Sequence, residues 1–172
     1  MIKKLLLLAS VMSLCACTGV AENITPVDNF ELDRYLGKWY EIARLDHSFE
    51  RGLEQVTAEY SLRDDGGVSV VNRGYSTEKE EWSEAEGKAY FARSPDEGYL
   101  KVSFFGPFYG SYVVFELDQE NYQYAFVSGP NHDYLWLLAR TPVIDQEITD
   151  RFLSMSRDRG FDVDQLILVN QQ

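Results

Sequence analysis

From Gly37 onward, turn signals recur about every ten residues between apolar and aromatic runs, and this rhythm constrains the fold more than any other feature. The runs are Trp39 to Asp46, Glu54 to Arg63, Val68 to Ser76, Glu81 to Ala92, Tyr99 to Phe105, Ser111 to Leu117, Tyr122 to Ser128 and Tyr134 to Arg140. Asp64-Asp65-Gly66-Gly67, flanked by alternating residues, is a strong hairpin signal, because Asp-Gly pairs tolerate the backbone that tight turns need. The 11 Tyr and 10 Phe favour strands, where their rings fit a half-buried pleated face. Eight strands joined by short loops predict an all-β, eight-stranded antiparallel up-and-down barrel, which removes exposed edges by closing on itself. A length of 172 residues suits one such domain, and no internal repeat interrupts it.

The tail changes period. Pro142 ends the eighth run, and residues 145–156 place Ile148, Phe152 and Met155 at helical spacing, with acids in the first turn and Gly160 as a stop. Leu166 to Val169 then reads as a short final strand.

The amino terminus is an address. A basic Met1-Ile2-Lys3-Lys4 precedes the apolar run Leu5 to Leu14, which is too short to cross roughly 30 Å of hydrocarbon as a helix. Residues 1–16 therefore read as a secretory signal. Leu14-Cys15-Ala16-Cys17 resembles the bacterial lipobox, which implies cleavage before Cys17, lipidation of its thiol and loss of Cys15. Ordinary secretory cleavage near Ala16 or Ala21 is the alternative. Thr18, which is not Asp, resembles the signal for the outer membrane, and residues 17–29 are expected to be a tether holding the domain off the bilayer. The mature chain then has no cysteine beyond Cys17, hence no disulfide and no thiol for catalysis. Its formal charge is −12 before cleavage and −14 once Lys3 and Lys4 are removed, which argues against nucleic acid as a partner.

Three motifs carry a family resemblance. Gly37-Lys38-Trp39-Tyr40 opens the first strand, Asp118 to Tyr122 precedes the seventh, and Leu138-Ala139-Arg140 ends the eighth. In this order they resemble the three signatures of the lipocalins, although a strict Thr-Asp-Tyr is absent from the second. Glu41 to Arg44, Phe49 to Leu53, Ser103 to Phe108 and Asp133 to Trp136 are similar to the bacterial outer-membrane lipoprotein branch, itself similar to apolipoprotein D. The resemblance spans residues 30–172 as one lipocalin domain. It implies lipid anchoring in the outer membrane with the barrel facing the periplasm. It also implies binding, storage or transport of fatty acids, lysophospholipids or phospholipids in cell-envelope maintenance or stress.

A closed barrel must be plugged at one end. Trp39 across the base, with the Arg140 guanidinium stacked on its indole, is the expected plug. If Arg140 points inward, alternation sends Leu138, Trp136 and Tyr134 inward too. Similarity to apolipoprotein D adds Tyr60, Asn72 and Tyr112 as cavity residues, with Ala58, Val70 and Val114 as their alternation partners. A lipid head group is expected near the rim beside Arg44, Arg51, Arg73 or Lys101. The loop Phe104 to Gly110 offers apolar side chains to a membrane, to a second copy in a homodimer, or to the barrel mouth itself.

No catalytic constellation accompanies this picture. His47 and His132 are expected to be solvated loop residues without metal or nucleophile partners, and no cofactor is implied. Glu78, Glu80, Glu81, Glu84 and Glu86 read as a solvated face. The competing reading is a structural envelope lipoprotein whose barrel is filled by its own side chains. Ala58, Gly74 and Ala89 instead hint at spare volume.

Overall fold

A computed structural model describes residues 19–172. Cys15, Cys17 and the signal segment lie outside the described residues. A short helix α1 (Leu32–Tyr35) leads into eight strands: β1 (Gly37–Arg44), β2 (Leu53–Leu62), β3 (Val68–Ser76), β4 (Glu81–Phe91), β5 (Tyr99–Ser103), β6 (Gly110–Leu117), β7 (Tyr124–Ser128) and β8 (Leu135–Ala139). Helix α2 (Gln146–Asp158), a 3-10 turn (Val163–Gln165) and strand β9 (Ile167–Leu168) follow. Each of the eight strands pairs antiparallel with the next, and β1 pairs with both β2 and β8, so the barrel closes.

Closure is uneven along β1. Its lower half, Gly37 to Tyr40, pairs with Tyr60 to Thr57 of β2. Beyond a register shift between Glu41 and Ala43, it pairs with β8 on one side and β9 on the other. The chain end fills the seam where β1 and β2 part: the Gln171 amide donates to the carbonyls of Glu41 (2.7 Å) and Val56 (3.0 Å).

Alternation produces two apolar layers. Trp39, Tyr60, Val70, Leu138 and their neighbours face the interior. Val113, Phe126, Leu135 and Leu137 face outward, where α2 covers them by burying Phe152 on the Phe126 ring at 5.0 Å. The Asp65 carboxylate accepts the Gly67 N–H at 3.0 Å, and Gly66 supplies the left-handed φ of +80° that this turn requires. The seventh strand begins at Tyr124 rather than Tyr122. Asp118 captures the N–H groups of Asn121 and Gln123, and Tyr122 adopts φ 55°, which breaks extended geometry.

Helix α1 has no counterpart in the sequence reading, because four residues are too few to show a helical period. The described part of the 17–29 tether is bound rather than free: Ala21 and Ile24 are buried against the outer layer, and Val27 exchanges backbone hydrogen bonds with Val114 and Gly98.

Candidate functional site

The interior holds a cavity of about 540 Å³, within the range of small-molecule sites, so the barrel's own side chains do not fill it. Its closed end is the plug. Trp39 is fully buried and donates its indole N–H to the Tyr35 carbonyl at 2.8 Å. The Arg140 guanidinium sits 3.9 Å from the ring centroid of Trp39 and donates to the carbonyls of Arg34 (2.7 Å), Lys38 (2.9 Å) and Tyr122 (3.2 Å). A delocalised cation that stacks on one face and donates in plane satisfies three elements at once.

Above the plug, three phenols meet. The Tyr112 hydroxyl lies 2.7 Å from that of Tyr35 and 2.9 Å from that of Tyr60. Burial raises all three above the ordinary phenol range, so they stay neutral. They satisfy one another and leave a floor that demands no charged ligand.

The walls carry most of the expected residues. Tyr60, Asn72, Tyr112, Tyr134, Trp136 and Leu138 line the cavity, together with Ala58 and Val70. The Asn72 side-chain oxygen is buried and has no hydrogen-bond partner among the described residues, which makes it an acceptor for a ligand donor. Val114 sits differently. It faces inward but is fully buried below the lining, sealed beside Val27, so it packs the floor instead of touching the cavity.

Toward the mouth lies a polar group that sequence reasoning missed. Glu41 lines the cavity and accepts from Arg44 at 2.7 Å; Arg44, 2% exposed, also donates to the carbonyls of Glu50 (2.9 Å) and Leu53 (3.1 Å). Burial, reinforced by the neighbouring Glu50 carboxylate, pushes the Glu41 carboxyl well above the usual range despite the pull of Arg44. Glu50 accepts the Trp136 indole N–H at 3.1 Å. The signal for Glu41 was present in the sequence, since it stands two residues after the inward Trp39. The signal for Arg44 was not, because the register shift beyond Glu41 turns it inward.

Arg44 is therefore not a rim cation, contrary to expectation. Arg73 lines the mouth and stacks on Trp82 at 4.1 Å, Arg51 is held by Asp46 at 2.7 Å, and Lys101 lies 5.6 Å from the Tyr109 ring, away from the lining. His47 is likewise not solvated. It is buried, 3.0 Å from the Glu50 carboxylate and 4.0 Å, centroid to centroid, from the Phe49 ring. His132 is partly buried, with its Nε2 between the carbonyls of Glu22 and Arg159. Glu81, Glu84 and Glu86 are exposed along β4, as a solvated face requires. Among the described residues, no group of three or more His, Cys, Asp or Glu is placed to hold a metal ion.

Residues 30–171 match the model of the lipocalin-like domain family. The chain is 68% identical over 167 residues to the outer membrane lipoprotein Blc of Vibrio cholerae, covering 97% of each chain. It is 54% identical over 157 residues to outer membrane lipoprotein Blc of Escherichia coli K12, covering 91% of this chain and 88% of that one. The solved structure of insecticyanin from the tobacco hornworm Manduca sexta superposes with a TM-score of 0.68 at 23% identity, covering 88% of this chain and 86% of that one.

Proposed function

The chain belongs to the lipocalin family, and from that premise we propose that it is an outer-membrane lipoprotein that binds a fatty acid, lysophospholipid or phospholipid in its barrel and stores or carries it through the envelope. It is a binding protein rather than an enzyme. The observation that carries this reading is the open cavity of about 540 Å³, lined mainly by apolar and aromatic side chains above a neutral phenol floor. An acyl chain loses water on entering such a cup, contributing roughly 25 cal/mol per Å² of buried apolar area before the losses of association. The head group then lies toward the mouth, with the Asn72 oxygen as an acceptor in the wall below it. Fatty acids, lysophospholipids and phospholipids all have this layout. A lipidated cysteine at position 17 anchors the chain with its barrel on the periplasmic side. Identity to lipoproteins over nearly the whole chain supports that assignment.

The filled-barrel alternative requires bulky side chains where Ala58, Val70 and Ala89 line open space. Trp136→Ala tests the site directly, since it removes an aromatic wall and its bond to Glu50. Lysophospholipid affinity of the folded variant, measured by titration calorimetry, is expected to fall at least tenfold, about 1.4 kcal/mol. Unchanged affinity removes Trp136 from the site.

A further inference from the structure

The mouth of the barrel is apolar where water would be expected. Phe105 and Phe108, on the loop between β5 and β6, are 78% and 62% exposed, and Phe49, on the loop between β1 and β2, is 55% exposed. All three line the cavity entrance. Phenyl rings at this exposure are unfavourable in water, and these stand on two loops that face each other across the open end, so the rim as a whole calls for a cover.

The path of the amino terminus says what covers it. From Val27 near the plug end, the segment climbs the outside of the barrel to the loop between β7 and β8. The Glu22 carbonyl lies 3.1 Å from His132 Nε2, and a Cβ built on Gly19 would stand 3.9 Å from the Pro130 carbonyl oxygen. Pro130 is itself part of the cavity lining. The chain thus leaves the described fold at the mouth, and Cys17 is two residues further on, within about 7 Å of Gly19 at full extension.

We propose that the open end of the barrel rests on the bilayer that anchors the chain, with Phe49, Phe105 and Phe108 dipping into its surface, so that lipid passes between leaflet and lumen without crossing water. The proposal rests on acylation of Cys17, because only an anchor attached this close to the mouth holds that end against the membrane. Apolar burial drives the contact rather than charge: Glu78, Glu80 and Glu81 stand exposed on the hairpin at the same end, so anionic lipid gains nothing there. A second copy seated on the rings is the competing occupant, and it gives no role to the site of chain exit.

The test uses the full acylated chain in vesicles of phosphatidylethanolamine and phosphatidylcholine with brominated acyl chains. With Cys17 blocked by acylation, Phe105→Cys and Asp64→Cys each present one thiol for an environment-sensitive fluorophore, at the mouth and at the opposite end. The fluorophore at 105 is expected to lose at least half its emission to the bromines, that at 64 less than a tenth, with little change when salt is raised. A fluorophore at 105 that bromine leaves bright overturns the proposal; if it is also shielded from aqueous iodide, a second copy covers the rings. Intact mass of the same sample separates the two layers of the reading. An acylated chain with an unquenched 105 fails this proposal alone, whereas an unacylated chain overturns the anchoring on which it rests.

Discussion

Each end of the barrel holds an arginine, partly buried at the closed end and buried toward the mouth, and the difference between them shows how the fold divides its work. At the closed end, Arg140 meets an indole face and three carbonyls, all neutral partners donated by elements that converge there anyway. At the upper wall, Arg44 meets a carboxylate beside a second carboxylate, its Nε and the Nδ1 of His47 lack hydrogen-bond partners among the described residues, and His47 Nε2 faces Glu50 at 3.0 Å. The floor is a joint of mutually satisfied polar groups. The mouth retains charge, unmet polar atoms and exposed rings. Stability is concentrated in the first and access in the second.

The sharpest way to break this contrast is Trp39→Ala. It opens a cavity beneath Arg140 that the closed end cannot collapse to fill, and the folded state is expected to lose about 3–5 kcal/mol in urea unfolding. A loss below 1 kcal/mol would mean that the plug is not the joint described. Arg44→Ala is expected to rank second, at about 3 kcal/mol, because it strands Glu41 in the wall. Its effect stays at the lower end of that range because the raised Glu41 carboxyl can take up a proton instead of remaining charged.

The smallest effect is the most diagnostic. A carboxyl whose folded pKa is raised above its unfolded value contributes stability that is fully present below the unfolded pKa, near 4.5, and lost as pH rises through the folded pKa. Unfolding free energy measured from pH 4 to pH 8 is therefore expected to carry a declining component that Glu41→Gln removes. Identical slopes for the two chains would place Glu41 in a more solvated setting than the one described.

The closed end was legible in the sequence because its partners announce themselves by type and position: a Gly-x-Trp at one strand start and an Arg at another strand end. Parity from Arg140 points Leu138, Trp136 and Tyr134 to one face, and all three stand along the cavity. Parity reports which face a side chain takes, however, and not its height. Val114 shares the face of Tyr112 yet lies beneath the lining, sealed by a segment that read as a free tether. The mouth was harder still. His47 looks like any polar loop residue until Phe49, Tyr134 and Trp136 close around it, and the last two lie far away in sequence. Tyr35 joins the phenol floor from a four-residue helix with no periodicity to betray it.

The central claim is that the lumen is an open cup for an acyl chain. Native mass spectrometry of the mature chain, stripped of lipid and titrated with palmitate and with lysophospholipid, tests it most directly. The account predicts a saturable complex of one lipid per binding unit, abolished when Val70→Trp places an indole in the lumen. A folded chain that takes up neither lipid, or a Val70→Trp chain that binds both as well as the parent, would contradict it.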